Sequence, residues 1–137
     1  MRKNEKIVTT IRDENEFEMV FKKGRIVRNE KSNVRAHFLF IRNGESKYIK
    51  VAVSVSSKIG NSVYRNRFKR FIRESLRLEI NTLKELIDNL RAGLMIVFSP
   101  YKLNQKNKKR FYLKDIRENV SDILIFIWRE IKQQNPA

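Results

Sequence analysis

The chain has 137 residues, with 31 Lys+Arg against 15 Asp+Glu, a formal net charge of +16 and 41% hydrophobic residues. This is enough for one compact domain with a real core and too short for two. The charge far exceeds what solubility requires and points to a polyanionic partner, while the lack of cysteine excludes a disulfide framework and thiolate metal sites.

Met1 to Thr10 is charged and leads into no apolar block with a small-residue cleavage site, so no signal peptide is expected, and residues 1–12 are expected to form a flexible N-terminus. A first helix follows. Asp13 can cap it, Glu16 stands where a capping-box acid belongs, Phe17, Val20 and Phe21 share one face, and Gly24 stops it. Arg25 to Arg28 reads as a short strand. Arg35 to Arg42 reads as a longer one, with Phe38 and Phe40 on one face and His37, Leu39 and Ile41 on the other. The pair Asn43-Gly44 marks the turn out. From Ile49 to Ser56 the alternation is clean: Ile49, Val51, Val53 and Val55 on one side, small Ala52, Ser54 and Ser56 on the other.

After Gly60, Asn61 or Ser62 can cap a helix through Tyr64, Phe68, Phe71, Ile72 and Leu76, which continues with a break across Leu83 to Leu90. Leu94 to Ser99 reads as a buried strand closed by Pro100. A basic stretch from Lys102 to Arg110 precedes a final helix on which Leu113, Ile116, Val120, Ile123, Ile127 and Ile131 keep helical spacing. The order is αβββαβα, a single α+β domain. The longest apolar run, Ile123 to Trp128, is too short to cross a bilayer, so neither a membrane nor a small molecule is the expected partner and the cytoplasm is the expected compartment.

The helix after Gly60 is two-faced. At about 100° per residue, Tyr64, Phe68, Phe71, Ile72 and Leu76 gather on one side and Arg65, Lys69, Arg70, Arg73 and Arg77 on the other, with Arg67 at the edge. Glu74 is the sole acid in these turns, so intrahelical ion pairs do not explain the cations. A charge run is usually a solvated face; here Lys58 and Asn61 just upstream add donors at a helix start, where phosphates bind well. By spacing alone Phe17 and Phe21 are core residues more often than stacking platforms for unpaired bases, and Phe38 and Phe40 carry the same two readings. His37, lacking a second histidine or a carboxylate spaced for chemistry, reads as structural. No phosphate loop, dinucleotide fingerprint, zinc-ligand pair or nucleophile elbow is present, so neither catalytic nor metal-ligating side chains are assigned.

The stretch Val51-Ala52-Val53-Ser54-Val55-Ser56-Ser57-Lys58-Ile59-Gly60-Asn61-Ser62-Val63-Tyr64-Arg65-Asn66-Arg67-Phe68-Lys69-Arg70-Phe71-Ile72-Arg73-Glu74 resembles the signature of the bacterial ribonuclease P protein family. Glu16 to Gly24 is similar to that family's first helix and Leu94 to Pro100 to its last strand. Ala52 and Ser57 depart from it, standing where glycine and lysine are usual, and the region after Pro100 matches only loosely. The resemblance implies an α/β sandwich like the second domain of ribosomal protein S5, with a left-handed βαβ crossover. It implies a catalytic RNA subunit that uses magnesium ions to remove the 5′ leader of precursor tRNA, with no cofactor held by the protein. It further implies that Lys58, Asn61, Arg65, Asn66, Arg67, Lys69, Arg70 and Arg73 face that RNA, and that Phe17, Phe21 and Phe40 line a cleft for the leader, which reverses the core-first reading of those rings. Two rival readings are a ribosomal or assembly protein without nuclease association and a DNA-binding regulator; the latter lacks a second helix placed for a helix-turn-helix.

Overall fold

Strand alternation and helical spacing sort the apolar side chains onto the two faces of one five-stranded sheet. The computed structural model describes residues 7–42 and 46–134. The elements are β1 (Val8–Thr10), α1 (Glu14–Lys23), β2 (Arg25–Arg28), β3 (Val34–Ile41), β4 (Tyr48–Val53), a 3-10 turn (Ser57–Ile59), α2 (Ser62–Leu78), α3 (Ile80–Asn89), β5 (Gly93–Pro100) and α4 (Leu113–Gln134). The strand order is β1-β4-β5-β3-β2. β4 runs parallel to both β1 and β5, whereas β3 is antiparallel to β5 and β2. Adjacent parallel β4 and β5 are joined through α2 and α3, the βαβ unit expected from the resemblance.

One face carries Val34, Ala36 and Phe38 of β3, Ile49 of β4, and Leu94, Ile96 and Phe98 of β5, all buried against α2, α3 and α4. Apart from Ala36, each such side chain contributes roughly 1.5–3 kcal/mol through apolar burial. The opposite face buries Met95 and Val97 with Ile11 and with Val20 of α1, while Phe17, Phe21, Leu39, Ile41, Tyr48 and Ala52 pack there only partly buried. β5 is central and covered on both sides, so all eight of its residues are buried; this is why Leu94 to Phe98 reads as a continuous apolar run. A helix of 10 residues spans about 15 Å and leaves much of a five-stranded face open.

Two details differ from the sequence expectations. Residues 1–12 are not wholly a flexible tail: Val8, Thr9 and Thr10 pair with Ile49, Lys50 and Val51, and Ile11 is 7% exposed. Three residues give no readable alternation, and their pairing comes from the tertiary template of β4. Asp13 does cap α1, accepting from the Asn15 N–H at 2.8 Å, but Glu16 does not complete a capping box; it forms an ion pair with Lys50 at 3.2 Å. Gly24 ends α1 through close approach: a Cβ there would lie 2.3 Å from the Val20 carbonyl oxygen and 2.8 Å from that of Phe38. The Asn43-Gly44 turn lies outside the described residues.

Candidate nucleic-acid interface

Tyr64, Phe68, Ile72, Ser75 and Leu76 turn α2's apolar side into the core, which forces the intervening cations outward. Asn66, Arg70 and Arg73 are exposed, and Arg65, Arg67 and Lys69 are half-buried. Glu74 pairs with Arg77 one turn on, and that hydrogen bond holds its carboxyl below the usual range. Among the described residues, Arg67, Lys69, Arg70 and Arg73 have no carboxylate within ion-pair distance. They form a cationic face whose charges repel until an anion meets them.

The start of α2 is more occupied than its sequence implied. Asn61 is the cap: its side chain accepts from the Tyr64 N–H at 2.9 Å, and its own N–H donates to Gln105 Oε1 at 2.9 Å. It therefore positions the start of the helix through Oδ1 and its backbone N–H, and neither bond uses its exposed side-chain NH2. Arg65 folds back so that Nε donates to the Gly60 carbonyl at 3.1 Å. Lys58, in the 3-10 turn, stays exposed beside them.

Segment 101–112, in which sequence reasoning saw only charge, buttresses this junction. Gln105 N–H donates to the Ile59 carbonyl at 2.8 Å and the Tyr64 hydroxyl donates to the Lys108 carbonyl at 2.7 Å. Burial raises the Tyr64 phenol above its ordinary range. Leu103 and Phe111 anchor the segment in the core, the latter with its ring centroid 4.9 Å from Tyr64 and 5.6 Å from Phe71. Lys106, Lys109 and Arg110 are left exposed near the start of α2.

The second region lies across the sheet. Phe17 and Phe21 project from α1 one turn apart, ring centroids 5.0 Å from each other, and Phe21 packs at 4.5 Å on the imidazole of His37. Cross-strand register sets Leu39 beside Met95, and His37 beside Val97, which neighbours Ala52. The small, half-buried Ala52 adds little bulk to this face, the one on which the family resemblance implies a cleft. His37 is 7% exposed, and burial, with the nearby Arg35 charge, pushes its pKa down; its Nδ1 has no hydrogen-bond partner.

Phe40 is not in this cleft. It stands on the face of Phe38, packs edge-on against that ring at 5.7 Å and joins the core beneath α2 and α4. The reason is strand parity: side chains alternate, so Phe40 cannot share a face with His37 and Leu39. The third ring beside Phe17 and Phe21 is the imidazole of His37. The alternation along β3 carries that signal, against the position implied for Phe40 by the family resemblance.

Among the described residues, no three His, Asp or Glu side chains gather to hold a metal ion, and no helix is long and apolar enough to cross a membrane.

The family model described as Ribonuclease P matches residues 6–123. The ribonuclease P protein component of Clostridium novyi (strain NT) is 35% identical over 124 residues, covering 90% of this chain and 94% of the relative. That of Bacillus cereus (strain 03BB102) is 39% identical over 92 residues, covering 66% and 71%. Among solved structures, the RNase P protein from Thermotoga maritima superposes with a TM-score of 0.64 at 26% identity, covering 84% of this chain and 94% of its own.

Proposed function

This chain belongs to the ribonuclease P protein family, and from that premise we propose a division of labour between its two RNA-binding regions. As a protein component of an endoribonuclease complex it works with an RNA partner. In the reading proposed here, the outer face of α2, with Arg67, Lys69, Arg70 and Arg73 and with Lys58, Asn61, Arg65 and Asn66 alongside, docks the catalytic RNA through phosphates. The cleft of Phe17 and Phe21, backed by the buried His37, holds the single-stranded 5′ leader of precursor tRNA by stacking on the two phenylalanine rings. Hydrolysis and the magnesium ions that serve it belong to the RNA. The protein raises substrate affinity and neutralises phosphates around the metal sites, so that less magnesium is needed.

The observation that supports this reading best is the placement of the two regions on opposite faces of one sheet, where two RNAs can be held without competing for the same surface. Reconstitution with a ribonuclease P RNA tests it. The complex is expected to cleave precursor tRNA at magnesium concentrations where the RNA alone is slow, and the protein alone is expected to cleave nothing. Cleavage without the RNA, or failure to bind it, would contradict the reading.

A further inference from the structure

β3 continues past the cleft in the direction of its own start, and its next residue on the cleft face is Arg35. Antiparallel register sets Arg35 opposite Arg28 on β2 and opposite Ser99 on β5. Residues directly opposite in a sheet share a face, so both arginines stand on the side of His37 and Phe21, one strand repeat of about 6.7 Å beyond the imidazole. Arg35 Nε donates to Ser99 Oγ at 3.0 Å; Ser99 is 5% exposed, so this bond fixes the guanidinium and leaves its two Nη groups free. The Arg28 guanidinium lies 5.1 Å from the ring centroid of Tyr101, and Lys102 Nζ lies 5.3 Å from that same centroid. Lys102 holds its place with φ 53, the one left-handed non-glycine residue among those described.

Like charges directly opposite in a sheet destabilise it, and left-handed backbone is costly for a lysine. Neither is offset locally: among the described residues, none of Arg28, Arg35 and Lys102 has a carboxylate within ion-pair distance. Two cations at one tyrosine, and a third, Arg35, fixed by a buried serine two positions before that tyrosine, make a receptor for an anion. The adjoining rings select the kind of anion, because a nucleotide base packed on the partly buried Phe17 or Phe21 leaves its backbone on the face where both guanidinium groups stand.

We propose that Arg28, Arg35 and Lys102, grouped beside Ser99 and Tyr101 at the end of the α1 cleft, form a subsite for a phosphodiester of the single-stranded leader. This rests on the leader reading of the cleft. The leader is favoured over the catalytic RNA because the subsite shares the face of α1 and not that of α2.

The test compares the wild-type holoenzyme with one carrying Arg28→Gln and Arg35→Gln. Affinity is measured for precursor tRNA with a full leader, a truncated leader and none, across a salt series. The double variant is expected to lose about tenfold of the leader-dependent affinity. Its log–log salt slope for the full-leader substrate should be shallower by about 1.4, the value for two single-strand contacts. A single uncharged methylphosphonate at the contacted leader linkage should weaken the wild type and leave the double variant unchanged. Because like charges are removed, the thermal midpoint of the double variant should stay level or rise. If it falls instead, Lys102→Gln, an exposed change, carries the same salt-slope test with one contact.

Full leader-dependent affinity and an unchanged slope in the variants would overturn the subsite while leaving the leader reading standing. A loss that appears equally with leaderless tRNA or with the RNA subunit would overturn the assignment to the leader. A wild-type holoenzyme indifferent to the leader would instead overturn the leader reading itself.

Discussion

The outer face of α2 and the cleft beside α1 are built on different terms. On α2 the cations ride a regular helix whose apolar side is locked into the core by Tyr64, Phe68 and Ile72. Its rings face inward, so what it offers an RNA is charge at helical spacing. In the cleft the rings of Phe17 and Phe21 stay only partly buried, and charge is confined to the margin. Phosphate contacts position a polyanion without reading its bases, whereas exposed rings require bases that are unstacked. A folded RNA suits the first surface and a single strand the second.

Charge reversal on α2 should separate the two regions most forcefully. Arg67→Glu with Arg70→Glu is expected to weaken binding of the RNA subunit by about 100-fold and to flatten its log–log salt slope by about 2. The leader-dependent part of substrate affinity should survive in whatever complex still forms. Phe17→Ala is the converse: filter binding or fluorescence titration should show a loss of about 1–3 kcal/mol for leader-bearing tRNA only. Phe40→Ala sharpens the boundary between core and cleft. It should lower the unfolding free energy by about 1–2 kcal/mol in urea titrations and leave leader affinity untouched.

The smallest effect concerns His37. Its folded pKa lies below the ordinary value of 6.5, so the unfolded chain binds the proton more readily. The stability this contributes is complete above the unfolded pKa and is lost as pH falls toward the folded one. Thermal midpoints between about pH 7.5 and about pH 5.5, above the carboxylate range, should drop more for the wild type than for His37→Phe.

Much of this was legible in the residues. The pattern of Tyr64, Phe68 and Ile72 against Arg65, Lys69 and Arg73 defines α2 and its outward charge, and the spacing of Phe17, Val20 and Phe21 defines α1. What was not legible depends on partners far away in the chain. Val8 to Thr10 becomes a strand only because β4 offers an edge. The engagement of Asn61 with Gln105 spans 44 positions. The cation cluster at Tyr101 requires the register of three strands to be known at once. Phe40 is a different case, since strand parity alone places it opposite His37 and Leu39.

The most direct measurement is the ratio of holoenzyme affinities for precursor tRNA with and without its leader, taken for the wild type, for Phe17→Ala/Phe21→Ala and for Arg67→Glu/Arg70→Glu. The predicted result is a ratio well above one in the wild type that collapses toward one in the phenylalanine variant, with RNA-subunit binding intact there and weakened only in the arginine variant. A ratio that survives loss of both rings, or that collapses only when the α2 charges are reversed, would contradict the assignment of the two faces to two RNAs.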